Sequence, residues 1–174
     1  MTIEKRATAG VTANGRKLTG YIAKFDSPTT IGDFTEIIRR GAFAASLASG
    51  ADILALADHD YSRVLGRTRS GTLTLAEDDT GLAFSLELPD TQAGRDLAAL
   101  AQRGDLGGCS FAFNVPAGGD HWNGDTRELR NVVLDEVSIV QSRPAYADTT
   151  VNLRSLRPDA QRSLLHYWLE TCRP

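Results

Sequence analysis

Between residues 73 and 88, apolar side chains fall on every second position on both sides of a charged turn. Leu73 and Leu75 form one arm and Leu82, Phe84, Leu86 and Leu88 the other, joined by Glu77-Asp78-Asp79-Thr80-Gly81. A period of two places these residues on one face of an extended chain, so the stretch predicts a β-hairpin with a buried side. An isolated hairpin is barely stable in water, so further strands must cover that side.

The rest of the chain supplies them. Alternation over 18–25 predicts a strand that breaks at Asp26-Ser27-Pro28. An extended run over 34–39 leads to Gly41, and the Ala- and Leu-rich 42–49 predicts a short helix closed by Gly50. The apolar 53–57 predicts a buried strand that delivers Asp58-His59-Asp60 at its end. Thr91 caps a predicted helix running through Arg95, Leu97, Leu100 and Ala101 and stopping at Gly104. A strand over 108–113 puts Cys109, Phe111 and Phe113 on one face and Ser110 and Ala112 on the other. After a polar loop over 117–126, which contains His121 and Trp122, the β-branched run 130–140 predicts a central strand closed by Arg143-Pro144. A final helix over 158–172 carries Leu164, Leu165, Trp168 and Leu169 on one stripe, suited to docking on the body or on a second subunit.

About seven strands and two or three helices predict a mainly β (α+β) fold, an antiparallel β-barrel or sandwich with a few helices packed outside. The 174 residues suit one domain. We divide them into an N-terminal segment 1–17, a domain 18–153 and a C-terminal helix 154–174. The net charge of −3, without a Lys/Arg run, argues against nucleic acid as a partner. Cys109 and Cys172 lie far apart without CxxC spacing, which suggests neither a zinc knuckle nor a disulfide framework and fits a reducing, intracellular compartment. No secretion signal or membrane span is read, and no cofactor or metal is expected.

A serine hydroxyl is a weak nucleophile near neutral pH, so acyl-transfer enzymes pair it with a histidine and hold that imidazole with a third group. Of the three histidines, His59 follows a buried strand between two carboxylates, His121 sits in a polar loop and His166 on a helix, which makes His59 the best-placed base. A histidine between two aspartates equally suits a surface or capping position. Ser110 stands between Gly107-Gly108 and two phenylalanines, where small residues let a peptide backbone approach. A strand serine facing water suits the same pattern, and it is not a GxSxG elbow.

The order of motifs decides between these readings. Gly20-Tyr21-Ile22-Ala23-Lys24-Phe25-Asp26, Glu36-Ile37-Ile38 with Gly41-Ala42-Phe43, and His59-Asp60 with Leu65-Gly66-Arg67 resemble the first half of the tailed-phage prohead protease family. The resemblance continues through Glu77-Asp78-Asp79-Thr80-Gly81-Leu82, the segment 90–96, the segment 108–113, Glu136-Val137-Ser138-Ile139-Val140 and Pro144-Ala145-Tyr146. Each motif alone is weak, but their common order over roughly 18–150 is specific.

This resemblance implies a barrel ringed by helices, similar to the herpesvirus maturation proteases, with Ser110 as nucleophile and His59 as general base. Glu136 matches an acidic family position and is nominated to orient His59, with Asp135, Asp58 and Asp60 as alternatives. His121 is a further alternative, because a second histidine takes this role in the related viral enzymes. An arginine sometimes supports the backbone donors of an oxyanion hole, which makes Arg143 a candidate, although a solvated arginine before a proline turn explains it as well. The implied substrates are the scaffolding segment of the major capsid protein and the chain itself, cleaved inside the assembling procapsid in the host bacterial cytoplasm. High Ala, Arg and Gly usage suits a virulent phage, a prophage or a gene transfer particle alike. The C-terminal helix is a candidate for homodimerisation. Two rival readings are a non-catalytic assembly factor that keeps the fold, and a metal hydrolase built on Asp58, His59, Asp60 and His121. Three consecutive residues on extended chain point to opposite faces and make a poor ligand set.

Overall fold

The hairpin of 73–88 forms as its alternation demands: Leu73 pairs with Leu86 and Leu75 with Phe84 across strands β8 (Leu73–Glu77) and β9 (Gly81–Glu87). The computed structural model describes residues 2–8 and 10–142. The hairpin extends into a sheet of order β2-β3-β9-β8, where β2 is Val11–Asn14 and β3 is Lys17–Lys24. A bulge between Tyr21 and Ala23 interrupts the alternation of β3, so that Ile22 and Ala23 are both buried.

A second sheet carries the chemistry-bearing residues. Its order is β1-β10-β13-β6-β7, formed by Glu4–Thr8, Gly108–Asn114, Val133–Val140, Leu54–Ala57 and Asp60–Arg67 respectively. A third sheet, β11-β12-β5-β4, is made of Asp120–Asn123, Thr126–Leu129, Phe34–Ile38 and Thr29–Ile31. The apolar faces meet in one core. Phe111 stacks on Phe113 at 5.3 Å between ring centroids, and Phe43 meets Phe111 edge-on at 5.8 Å. Each of these buried rings contributes about 2 to 3 kcal/mol by leaving water, and together they hold β10 from its inner side.

Helix α1 (Ala44–Ala48) is tied to β13 by the Ser46 hydroxyl, which accepts from the Leu134 N–H at 2.9 Å. Helix α2 (Gln92–Arg103) has the expected ends. The Thr91 hydroxyl accepts from the Gly94 N–H at 3.3 Å, and Gly104 closes the helix at φ 76°. A Cβ at Gly94 would lie 2.1 Å from the Pro89 carbonyl oxygen. Gly94→Ala is therefore expected to lower stability by about 1 to 3 kcal/mol, although alanine is the better helix former. A urea titration reads this directly, and a stabilised variant would refute the close approach.

The mainly β character expected from the sequence holds, and no closed barrel is found among the described residues. Hydrogen bonding among the described residues makes three sheets, each ending in edge strands. Two of the joins are parallel, β13 with β6 and β12 with β5, so strands distant in sequence meet by crossover rather than by hairpins. The 1–17 segment, assigned no element from the sequence, contributes β1 and β2. The polar loop of 117–126 is a hairpin, β11 to β12, turning at Gly124, and the central strand begins at Val133 rather than at residue 130. The expected helix over 154–174, with His166 and Cys172, lies outside the described residues.

Candidate active site

Strand pairing places the site. Ser110 on β10 lies opposite Ser138 on β13, and Ala112 lies opposite Glu136. Glu136 and Ser138 are two residues apart and share one face of the sheet with Ser110. On the far side of β13, strand β6 ends with Ala57 beside Ile139. The chain then reverses through Asp58 and His59 into β7, with Ala57 paired to Asp60. Both turn residues have positive φ, 53° and 61°, the signature of a type I′ connection that usually holds Asn-Gly. A histidine in this conformation costs on the order of 1 kcal/mol or more. The turn carries the imidazole back over β13 towards β10.

There His59 joins two side chains. Its Nδ1 lies 2.6 Å from Glu136 Oε1, and its Nε2 lies 2.8 Å from Ser110 Oγ. The other Glu136 oxygen accepts the Ser138 hydroxyl at 2.6 Å, and Ser138 Oγ accepts the His59 backbone N–H at 3.1 Å. Ser138 therefore fixes both the carboxylate and the strained turn that presents the ring. Ser110, Glu136 and Ser138 are each 1% exposed, whereas the His59 side chain is 18% exposed. Ser110 is thus not a strand serine facing water. Its hydroxyl has a further neighbour, the Arg6 carbonyl oxygen of β1 at 2.7 Å.

The alternative partners for His59 are engaged elsewhere. Asp58 accepts from Arg63 at 3.1 Å and from the Gln141 backbone N–H at 2.9 Å. Asp60 accepts from Ser62, and Asp135 accepts the Tyr61 hydroxyl at 2.8 Å. His121, the alternative third member, is not brought to the site. It is exposed on β11, an edge strand of a different sheet, opposite Glu128. Arg143 lies outside the described residues. Burial pushes the Cys109 thiol up to about 12, so the residue beside Ser110 stays protonated and is no competing nucleophile. Among the described residues, no group of three or more His, Cys, Asp or Glu is placed to hold a metal ion.

Sequence reading passed over Ser138, whose importance depends on the face it shares with Glu136 and on a turn that only the fold brings to it. It also passed over Arg6, since nothing local links it to Ser110, 104 residues away. A hydroxyl, an imidazole and a buried carboxylate joined in line can move a proton off the hydroxyl and hold the resulting charge, which is the geometry of nucleophilic acyl transfer. Comparison with known proteins agrees with that chemistry. The family model for caudovirus prohead serine proteases matches residues 2–162 of the 174. No curated protein matches the chain, and no solved structure does. Because the match spans all three sheets and the Ser110, His59 and Glu136 positions, the chain belongs to the caudovirus prohead serine protease family.

Proposed function

We propose that the protein is a serine endopeptidase that removes the scaffolding segment of the major capsid protein, and processes itself, inside the assembling procapsid. The observation that carries this reading is the continuous hydrogen-bonded line from Ser110 Oγ through His59 to Glu136. In the first step Oγ attacks the substrate's carbonyl carbon while its proton passes to His59 Nε2. Glu136, accepting from Nδ1–H, keeps the ring in the required tautomer and stabilises the imidazolium. Collapse of the tetrahedral intermediate breaks the C–N bond, and the Nε2 proton leaves with the amine. Water then repeats the sequence on the acyl-enzyme and restores the Ser110 hydroxyl.

Co-expression with the major capsid protein tests the reading. The wild type is expected to shorten both the capsid protein and itself, while Ser110→Ala and His59→Ala leave both at full length. Processing retained by both variants would overturn the mechanism. A fluorophosphonate probe separates this function from a non-catalytic assembly role, because an activated serine labels at Ser110 and an inert one does not.

Ser138 is a positioning residue in this scheme. Ser138→Ala is expected to reduce kcat about 10- to 100-fold with little change in KM, a loss comparable to that from removing an outer-shell partner. It also costs about 1 to 3 kcal/mol of stability through the lost partner of a buried carboxylate. A purely structural serine would leave the pH profile of kcat unmoved, so a shift of its acidic limb is the discriminating readout.

A further inference from the structure

Strand β1 is the edge strand beyond β10, and its Arg6 carbonyl oxygen lies within hydrogen-bonding distance of the Ser110 hydroxyl. A hydroxyl has one proton. With Nδ1–H held by Glu136, His59 Nε2 can only accept, so Nε2 at 2.8 Å and the Arg6 carbonyl oxygen at 2.7 Å compete for that proton. When Arg6 takes it, the base has lost the hydrogen bond through which it would activate the nucleophile.

The side chains of β1 are held as specifically as its backbone. The Arg6 guanidinium lies 5.4 Å from the centre of the Phe113 ring and forks onto both Glu36 oxygens at 2.6 and 2.7 Å. Two residues earlier, Glu4 takes a matching fork from Arg127 at 2.7 and 2.8 Å. Glu36 and Arg127 belong to the third sheet, on β5 and β12, and not to β1 itself. Backbone pairing along a strand edge, with receptors for alternate side chains, is the usual way an extended peptide is read.

We propose that β1 occupies the substrate's place, and that the outer edge of β10 with Glu36, Phe113 and Arg127 is the substrate-binding site. The preferred substrate is an extended segment with an arginine or lysine whose carbonyl reaches Ser110 and an acidic residue two positions before it. Glu36 and Phe113 select the cation, and Arg127 the acid. The seated strand is an inhibitor rather than a substrate, because Ser110 meets the Arg6 carbonyl through its oxygen, as a hydrogen-bond donor, and not through its carbon. Substrate must displace β1, which makes the N-terminal strand a brake on the protease.

This inference rests on Ser110 being the nucleophile, and the test separates the two. Full-length wild type, Arg6→Ala and Glu36→Gln are compared by the rate of fluorophosphonate labelling at Ser110, with thermal unfolding as the check on folding. Labelling is expected to be at least about tenfold faster in both variants, because each loosens β1. Wild-type labelling is then competed with two peptide aldehydes, Glu-Lys-Arg-aldehyde and Glu-Lys-Leu-aldehyde. The arginine compound is expected to protect Ser110 at roughly tenfold lower concentration, a preference kept by Arg6→Ala and lost in Glu36→Gln, equivalent to about 1.4 kcal/mol of recognition. Equal labelling of wild type and Arg6→Ala overturns the brake, and equal protection by the two aldehydes overturns the substrate assignment, while labelling itself upholds the nucleophile. Absence of labelling in all three folded proteins removes the nucleophile and the inference with it. If Arg6→Ala fails to fold, the labelling rate of Glu36→Gln against wild type decides the brake, and the aldehyde comparison on the wild type decides the substrate assignment.

Discussion

Replacing Ser110 or His59 with alanine is expected to lower kcat on a peptide substrate by about 10⁴- to 10⁶-fold, and replacing both is expected to cost no more than either alone. Non-additivity follows from the geometry. Oγ at 2.8 Å from Nε2 is useful only while Nε2 can take its proton, so losing either partner removes the whole step. Glu136→Gln is expected to lose about 10²- to 10⁴-fold by a different route. The glutamine amide can donate to Nδ1, which turns the ring to the tautomer that carries its proton on Nε2 and can no longer accept from Ser110. Steady-state kinetics on a fluorogenic peptide measure all four variants, with thermal unfolding as the check on folding. Losses that multiply between Ser110 and His59, or full activity in Glu136→Gln, would refute the relay.

Arg127→Ala is expected to cost about 3 to 5 kcal/mol of folding stability, among the largest effects available to one substitution here. Arg127 is 4% exposed and gathers three carboxylates: Glu4 at 2.7 Å, Glu36 at 3.2 Å and Asp120 at 2.8 Å. Burial works against its charge, but these carboxylates outweigh burial and hold its proton more tightly than usual. Removing the guanidinium leaves Glu4 and Glu36, both buried, with Arg6 alone to balance them. A chemical denaturation series measures the loss. The double variant Glu4→Leu/Arg127→Met is expected to be less destabilised than Arg127→Ala, because it removes charges in a balanced pair and refills their volume. A loss below about 1 kcal/mol for Arg127→Ala would mean that water reaches the cluster, as it does for exposed pairs.

Elements whose residues carry their own instructions were legible in advance. The β8–β9 hairpin was readable because both arms alternate and the turn between them is polar. Helix α2 was readable because Thr91 and Gly104 mark its ends. The site was legible in a different sense. Ser110, His59 and Glu136 were named through the ordered motifs around them, and the structure brings the three together. Local patterning alone would have left Asp58, Asp60 and Asp135 as equal partners for His59. Asn123-Gly124, a common turn pair, was present in the stretch read as a loop, yet strands β11 and β12 were passed over because their four-residue arms are mostly polar.

The sequence by itself determined that the chain is mainly β, that 53–57 ends at His59, that 108–113 is an extended strand bearing Ser110, and that the motif order is that of a prohead protease. Each of these depends on neighbours within about ten residues or on the linear order of motifs. Tertiary structure alone decided which strands lie side by side. It arranged the described strands in three sheets, drew the N-terminal segment against β10, and set Glu136 rather than a nearer aspartate on the imidazole. The reason is physical. Alternation specifies which face of a strand is buried but not which strand lies beside it, and that choice rests on register, bulges and buried charges contributed by residues far apart in the chain.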